Sequence, residues 1–416
     1  MKHTKLTTKE NLIPFILITA LFFLWGMAHG MLDVLNKHFQ MILEISKAKS
    51  GLIQFAMYMA YFSMALPAGY FMRRFGYKKG IILGLSLFSI GSLLIAATTG
   101  FESFWLFLIF LFVLGCGLAT LETAANPYTT KLGPSETGER RINFSQSFNG
   151  LAWTVGPLIG IYIYGNNTDV AGEKLNSLMF PYMIIGFVVL AVAIVFMLSN
   201  VPEIKEDADD PLSETVSLRP LIKDRHFVLG VVAQFAYCAA HTGVFSYLIN
   251  YVTDKNQPVH FDEANGPYFL SIGFALFMIG RMSGSYLMSF FKPARMLALY
   301  ALMCCLLLPV VSSNLGWISI IALYGIFFFM SIMFPTIFAL AIKDLGSKTK
   351  KASPYIIMSI VGGAIFPPLM GYIADQTHSM SIGFLAPIPF FVYILYYALN
   401  GHKVIGSQII NIKNEL

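Results

Sequence analysis

The sequence predicts an all-α membrane protein with twelve transmembrane helices. Its 416 residues are 56% hydrophobic and only 12% charged, whereas a soluble domain carries about 25% charged residues. The apolar residues form long uninterrupted blocks, such as "MIIGFVVLAVAIVFMLS" at 183–199. A helical block of this length spans most of a hydrocarbon core about 30 Å thick. Composition and block length together exclude an ordinary soluble enzyme.

The apolar blocks divide into two groups of six on either side of one long hydrophilic segment. That segment, "NVPEIKEDADDPLSETVSLRPLIK" at 200–223, is rich in Pro, Glu and Asp, as is typical of a solvated linker. We therefore expect an N-terminal six-helix bundle at 1–199, a cytoplasmic linker at 200–224, a C-terminal six-helix bundle at 225–400 and a cytoplasmic tail at 401–416. The predicted helices centre on Ala20, Met59, Ile90, Val113, Ala152, Val188, Ala239, Ala275, Ala301, Phe328, Ile360 and Val392.

The placement of Lys and Arg predicts the orientation in the membrane. With the N-terminus inside, the loops expected to face outward hold only five basic residues, Lys37, Lys47, Lys49, Lys174 and Lys255. The other basic residues fall in segments expected to face inward, for example the "RRFGYKK" turn at 73–79. Because cytoplasmic loops carry an excess of Lys and Arg, both termini are predicted to be cytoplasmic in a plasma-membrane protein.

The two halves also repeat a pattern after their second helix. "GYFMRRFGYKKG" at 69–80 and "GRMSGSYLMSFFKPARM" at 280–296 each join small residues at a helix end to a short basic turn. Parallel six-helix repeats, related by an axis along the membrane normal, are the architecture of the major facilitator transporters. The predicted fold is therefore two bundles that rock about a site held between them.

Charged residues inside the predicted helices are few, and each costs about 2.5–3.5 kcal/mol at a helix centre on insertion scales. They are Asp33 in the first helix, Glu122 in the fourth and Arg281 in the eighth. Intramembrane acids mark ion and substrate pathways, so Asp33 and Glu122 are the candidate proton-coupling residues, and Glu122 is also a candidate sugar ligand. The structural alternative is an acid tied to a neighbouring helix. We expect Arg281 to lock the bundles together on the inner side.

Uncharged polar and aromatic residues supply further candidates for substrate contact. Gln146 and Asn149 are three residues apart in the fifth helix, so their amides share one face, and Trp153 follows one turn later. Amides suit sugar hydroxyls and an indole can stack on a sugar ring, although such amides also pair helices as packing contacts. The remaining candidates are His29, Asn126, Gln234, Tyr237 and His241.

The stretches "LETAANPYTTKLGP" and "RINFSQSFNG" resemble the fucose:proton symporter family of the major facilitator superfamily. The similarity continues in order through "FLWGMAHGMLDVLNKHF" and "MSIMFPTIFALAIKDLGSKTKKASPYIIMSIVGG". The resemblance implies proton coupling and sugar handling at Asp33 and Glu122, and sugar contacts at Gln146 and Asn149. Where the fucose porter has an asparagine-rich stretch, this chain reads "HGML" from His29, so the resemblance leaves the sugar open.

The expected function is proton-driven import of a monosaccharide, such as fucose, glucose, galactose or a related hexose, across a bacterial inner membrane. Sodium coupling, export of amphipathic compounds and a membrane sugar sensor that does not translocate remain alternatives. The sequence has no phosphate loop, metal-ligand cluster or nucleophile–base pair, so we expect no enzymatic activity, no cofactor and no metal. The expected partners are a sugar, a coupling cation and the lipid bilayer, with no nucleic acid, and the resemblance implies a monomer.

Overall fold

The structure, a computed structural model, describes residues 7–8, 10–98, 103–133, 138–165, 171–199, 222–288, 290–342, 345 and 355–403. All regular secondary structure in these ranges is helical. Nearly all of the expected linker, 200–221, and most of the expected tail, 404–416, lie outside the described residues.

Within the described ranges the helices group into twelve segments, numbered here as spans 1 to 12. Span 2 begins with a short helix, and spans 7, 10 and 12 are interrupted within their length. The bounds in chain order are Leu12–Ile42, Lys47–Ser50 with Leu52–Phe75, Tyr77–Thr98, Phe104–Lys131, Gly138–Gly165, Ala171–Leu198, Arg225–Ser246 with Leu248–Val252, Gly266–Leu287, Pro293–Ser312, Trp317–Met330 with Met333–Ile342, Gly362–Gln376 after the 3-10 turn Ser359–Val361, and Met380–Gly383 with Ile388–Tyr396 and Tyr397–Gly401.

Ten of these spans are long and apolar enough to cross a membrane by length and composition. Spans 5 and 8 are the other two, and they are 28 and 22 residues long. Both carry polar side chains that lower their hydropathy, including Gln146 and Asn149 in span 5 and Arg281 in span 8. Their polarity indicates that part of each helix faces protein or water rather than lipid.

Two large hydrophobic cores divide along the chain. One contains buried side chains between Phe15 and Phe196, and the other is built almost wholly from residues between Ala233 and Ala398. Small residues allow close helix contact within the first core: a Cβ atom on Gly117 would lie 2.3 Å from the backbone nitrogen of Phe88. Such backbone approach is the usual way in which helices pack in a bilayer.

The two halves are joined at one end by a set of polar contacts. Tyr247 Oη of span 7 lies 2.8 Å from the carbonyl oxygen of Lys47 and 2.9 Å from that of Pro367. Lys47 also forms an ion pair with Asp375 of span 11, at 3.6 Å. Asn36 Nδ2 of span 1 donates to the carbonyl oxygen of Ser246 at 3.0 Å. We call this end, defined by Lys47, Tyr247 and Asp375, the closed end.

Candidate transport site

Asp33 lies at the seam between the two halves, and its side chain is 4% exposed. Its Oδ1 atom accepts a hydrogen bond of 2.6 Å from Gln54 Nε2 of span 2 and one of 2.9 Å from Ser246 Oγ of span 7. Asp33 forms no ion pair with any residue that the structure describes. One carboxylate oxygen therefore joins spans 1, 2 and 7 without a cation beside it.

Glu122 lies in span 4 and is half-buried. Tyr61 of span 2 lies close enough to its carboxylate for the two groups to interact electrostatically. Tyr61 Oη lies 2.9 Å from His29 Nε2 of span 1. Polar side chains from three helices of the N-terminal half therefore lie in one region.

Trp153 of span 5 brings the two halves together through aromatic contacts. The His29 ring stacks on it with centroids 5.3 Å apart and an interplanar angle of 14°. From the C-terminal half, Phe274 meets the indole edge-on at 5.3 Å and His241 lies 6.4 Å away. A planar indole between the halves is a suitable surface for the apolar face of a sugar ring.

The predicted amides in the N-terminal half are close to one another, but some of their donors are already used. Gln146 Nε2 donates to Asn126 Oδ1 at 3.3 Å, and Asn149 Nδ2 donates to the carbonyl oxygen of Phe22 at 3.0 Å. Asn149 therefore also ties span 5 to span 1. Each amide can form more bonds than these, because a primary amide has two N–H donors and a carbonyl acceptor.

In span 7, the predicted residues Gln234, Tyr237 and His241 follow one face of the helix. The rings of Tyr237 and His241 stack with centroids 5.1 Å apart. Gln234 is fully buried, and neither Nε2 nor Oε1 has a hydrogen-bond partner within the described part of the chain. A buried polar group without a partner costs about 1–3 kcal/mol, so Gln234 stays a candidate for a ligand contact.

The structure corrects the expectation for Arg281. Its Nε atom donates to the carbonyl oxygen of Ser331 at 3.2 Å, where span 10 is interrupted, and its guanidinium carbon lies 4.7 Å from the Phe277 ring centre. Both contacts lie within the C-terminal half. The described contacts of Arg281 therefore brace spans 8 and 10 and do not connect the two bundles.

Sequence reasoning missed Tyr61, Gln54 and Ser246 as members of the site. A usable signal exists in "QFAMYMAY" at 54–61, because Gln54, Tyr58 and Tyr61 recur at four- and three-residue steps and so share one helix face. Ser246 has no such signal. A lone serine in a helix usually bonds its own backbone, and only the packing of span 7 against span 1 places it on Asp33.

The arrangement offers two separate acids, Asp33 at the closed seam and Glu122 near Tyr61, together with aromatic rings and amides. Across the residues described by the structure, no cluster of three or more His, Cys, Asp or Glu side chains is arranged to hold a metal ion. The donor set of hydroxyls, amides and rings is suited to binding a polyhydroxylated molecule and to exchanging protons.

A helical protein with ten described helices able to span a membrane, and with an acid at the seam between its two halves, has the features of a secondary transporter. The Major Facilitator Superfamily model matches residues 14–353. The chain is 36% identical to the L-fucose-proton symporter of Escherichia coli (strain K12), over 94% of this chain and 93% of that protein. The chain therefore belongs to the fucose:proton symporter family of the Major Facilitator Superfamily.

Other comparisons agree with this placement. The glucose/galactose transporter of Brucella abortus is 34% identical, over 96% of this chain and 97% of that protein. A crystal structure of the E. coli fucose:proton symporter FucP superposes with a TM-score of 0.70 at 36% identity, covering 94% of this chain and 98% of that one. The predicted family and the twelve-helix major facilitator fold are thereby confirmed.

Proposed function

We propose that this chain is a proton-coupled symporter that imports a monosaccharide by alternating access. Its relatives are an L-fucose-proton symporter and a glucose/galactose transporter, each similar along nearly the whole chain. The observation that carries the proposal is the position of Asp33, whose Oδ1 atom accepts a hydrogen bond from Ser246 of the opposite half. Because Asp33 is enclosed where the two halves meet, the free energy of closing them depends on whether its carboxyl group is charged.

The physical reason is the cost of enclosing a charge. Burying an ionised carboxylate without a cation is expensive, whereas a protonated carboxyl group satisfied by Gln54 and Ser246 is cheaper to enclose. The closed end therefore forms more readily when Asp33 carries a proton. Sugar binding then favours the same closure, which couples the two fluxes.

The remaining residues bind the sugar and supply the second acid. Glu122 exchanges a proton during the cycle and contacts the sugar from the N-terminal half. Trp153 stacks on the ring face, and Gln234 uses its unpartnered amide on a sugar hydroxyl. The other proposed sugar contacts are Gln146, Asn149, Asn126, His29, Tyr237 and His241.

The distribution of Lys and Arg supports an arrangement in which both termini are cytoplasmic and the closed end faces outward. In this proposal the two bundles, 1–199 and 225–400, move about the site within the bacterial inner membrane, and the linker 200–224 and the tail 401–416 are cytoplasmic. The protein acts as a monomer and as a transporter, not as an enzyme.

The test uses purified protein in sodium-free proteoliposomes with an acidic exterior and labelled L-fucose, D-galactose or D-glucose. We expect at least one sugar to accumulate above its external concentration, and a protonophore to abolish the accumulation. Glu122→Gln should lose this proton-driven accumulation while still exchanging internal for external sugar, because it cannot release a proton.

Three outcomes would contradict the proposal. Accumulation that requires a sodium gradient would show a sodium-coupled transporter. Sugar binding without uptake would show a sensor. Accumulation by Glu122→Gln equal to that of the unmodified protein would remove the role given to Glu122.

A further inference from the structure

Arg281 is an exposed cation within span 8, which runs from Gly266 to Leu287. The other exposed side chains that the structure describes in this helix are large and apolar, and they include Ile272, Ile279 and Tyr286. Because these three recur at seven-residue steps, they form one stripe, which is the face that meets lipid. An arginine on that stripe would be costly. The face of the helix on which Arg281 lies therefore decides what surrounds it.

Arg281 lies on the opposite side of the helix from the lipid-facing stripe. At about 100° per residue, its position is rotated by about 160° from that of Ile279 and by about 180° from that of Ile272. Phe277, four residues earlier on the face of Arg281, is only partly exposed. An exposed side chain that is turned away from lipid borders an internal space, so the guanidinium group of Arg281 faces a cavity inside the protein.

A long basic side chain can also be exposed by extending along its helix to the nearer membrane surface. Arg281 extends in the other direction. Its guanidinium carbon lies over the ring of Phe277, 4.7 Å from the ring centre, one turn toward the N-terminal end of span 8. The nearer end of the span is Leu287, six residues later. The charge is therefore directed toward the middle of the helix and away from the surface.

Phe277 connects Arg281 to the aromatic side chains where the two halves meet. The ring centroid of Phe277 is 5.9 Å from that of His241 in span 7. The His241 ring in turn lies 6.4 Å from that of Trp153 in span 5. His241 and Trp153 are both candidate sugar contacts. Arg281 therefore lies beside the candidate transport site, on the side of the C-terminal half.

The guanidinium group is held along one edge and leaves the other edge free. Its Nε atom donates to the carbonyl oxygen of Ser331 at 3.2 Å. The helix itself is held by the preceding Gly280, where a Cβ atom would lie 2.5 Å from the backbone oxygen of Phe328. Among the residues that the structure describes, none accepts from Nη1 or Nη2, and no carboxylate forms an ion pair with Arg281. The free Nη groups of a guanidinium fork are suited to a pair of acceptor oxygens.

We propose that Arg281 is a sugar-binding residue of the C-terminal half, and that its two Nη groups donate to the oxygens of two adjacent hydroxyl groups. This inference rests on the proposed function, since it names a further contact of the same site. L-Fucose, D-glucose and D-galactose are neutral and carry hydroxyl groups on neighbouring carbon atoms, so each offers pairs of acceptor oxygens. Each hydroxyl still has its own proton to donate to another acceptor.

The contact also favours closure of the two halves around the sugar. The amides of Gln146 and Asn149 belong to the N-terminal half, whereas Arg281 belongs to the C-terminal half. A sugar that bonds to both sides binds more tightly when the halves approach, and only such a difference in affinity shifts a conformational equilibrium. Hydrogen bonds from a charged donor are stronger than neutral ones, so Arg281 contributes strongly to this difference.

The first test measures whether Arg281 faces water. Arg281→Cys and Ile279→Cys are placed in lipid nanodiscs and treated with a charged thiol reagent that does not enter lipid. The unmodified protein, with its four cysteines, gives the background rate. Ile279 is the matched control, because it lies at a similar depth on the lipid-facing stripe. We expect Arg281→Cys to react at least about tenfold faster, since a thiol reacts as its thiolate and ionises in water. Equal rates would overturn the proposal.

The second test measures the dissociation constant of the sugar by calorimetry. Arg281→Lys keeps the charge but loses the planar fork, and Arg281→Gln loses both. We expect each variant to raise the dissociation constant at least about tenfold. Arg295→Lys is the matched control, an identical substitution at an exposed residue in the first turn of span 9, and it should change the constant less than about twofold. Binding by Arg281→Lys equal to that of the unmodified protein would refute the paired contact.

The third test identifies the two oxygens with monodeoxy derivatives of the sugar that binds. Two derivatives that lack neighbouring hydroxyl groups should each lose about tenfold in affinity for the unmodified protein, but less than about threefold for Arg281→Gln, whose donor fork is already absent. Equal losses with both proteins would contradict the contact. Tighter binding of D-galacturonate or D-glucuronate than of the neutral sugars would show that Arg281 binds a carboxylate and not a pair of hydroxyl groups.

Failure of this contact is distinguishable from failure of the proposed function. If no sugar binds to the unmodified protein, the proposed function fails and the sugar contact fails with it, while the thiol reaction alone decides whether Arg281 faces water. A sugar that binds to Arg281→Gln with an unchanged dissociation constant leaves the proposed function intact and removes Arg281 from the site. If Arg281→Gln does not fold, Arg281→Lys, which keeps the charge, replaces it in the comparison with deoxy sugars.

Discussion

The carboxylate of Asp375 binds the backbone at the start of the short helix that begins with Lys47. Its Oδ1 and Oδ2 atoms accept hydrogen bonds from the N–H groups of Lys47, at 3.2 Å, and Ala48, at 2.9 Å. The first N–H groups of a helix have no partner within it, and they carry partial positive charge. A carboxylate from span 11 thus caps span 2 across the boundary between the two halves.

This contact predicts that Asp375→Asn weakens the closed end. The amide keeps the size of the side chain but loses the charge and one acceptor, and a cap of this kind contributes about 1 kcal/mol, or roughly fivefold in an equilibrium constant. We expect the open population to rise by about that factor. Distances between spin labels at Lys49 and Gln376, which are both exposed at this end, measure the change.

A matched control is Glu263→Gln, which removes a different acid from the same end. Glu263 pairs with Lys37 of the other half at 3.0 Å, but its side chain is 47% exposed. Exposed ion pairs contribute about 0–1 kcal/mol, so this variant should change the distances little. If Asp375→Asn and Glu263→Gln changed the distances equally, the helix cap formed by Asp375 would not be the contact that stabilises the closed end.

Asp33 predicts a pH dependence of the same closure. As pH rises and Asp33 loses its proton, closing must enclose a charge, so the closed population should fall. Asp33→Asn stays neutral and can still accept from Gln54 and Ser246, so its closed population should stay high at every pH. Distances between spin labels at Lys49 and Gln376 measure the closed population of both proteins. If their pH profiles coincide, Asp33 does not control the closed end.

Close packing of spans 1 and 5 predicts that Gly26→Ala is destabilising. A Cβ atom at Gly26 would lie 2.7 Å from both the backbone oxygen and Nδ2 of Asn149 and 2.9 Å from Cβ of Ala152. Overpacking of this kind costs about 1–3 kcal/mol, which thermal unfolding in detergent will detect. Gly69→Ala is the control, since its Cβ would meet no atom within 4 Å. Equal unfolding temperatures for the two variants would contradict the observed approach of the helices.

The unpartnered amide of Gln234 predicts opposite effects on stability and binding. Gln234→Leu removes a buried group without partners, so the free protein should become more stable by about 1–3 kcal/mol, while sugar binding weakens. Gln54→Leu should instead destabilise the protein, because it breaks the 2.6 Å bond to Asp33. Unfolding temperatures and sugar dissociation constants check both. A less stable Gln234→Leu protein would show that the amide is satisfied in the folded state.

Much of the architecture could be predicted from the sequence because it depends on local quantities. Long apolar blocks specify the helices that enter the bilayer, and the similarity to the symporter family was readable in stretches such as "RINFSQSFNG". The candidates Glu122, Trp153 and Gln234 stood out because each is a type of residue that is unusual within an apolar helix. The partners of these side chains were not predictable, since hydrogen bonds between helices join residues far apart in the chain.

The difference between what the sequence predicted and what the structure shows is largest for Arg281 and Tyr61. Sequence reasoning gave Arg281 a role between the bundles, but its contacts lie within one half, because the break in span 10 exposes the carbonyl oxygen of Ser331 to it. Tyr61 was one tyrosine among 20. Its hydrogen bond to His29 depends on the rotation of two helices about their axes.

The sequence by itself determined that this protein is a twelve-helix membrane transporter with two acids in its spans, because the cost of placing polar groups in lipid is a property of each residue. The tertiary structure alone decided which groups those acids meet. It set Asp33 against Ser246 of the other half and Glu122 near Tyr61. Bonds between helices require a particular rotation and depth for each helix, and these are set by the packing of all spans together.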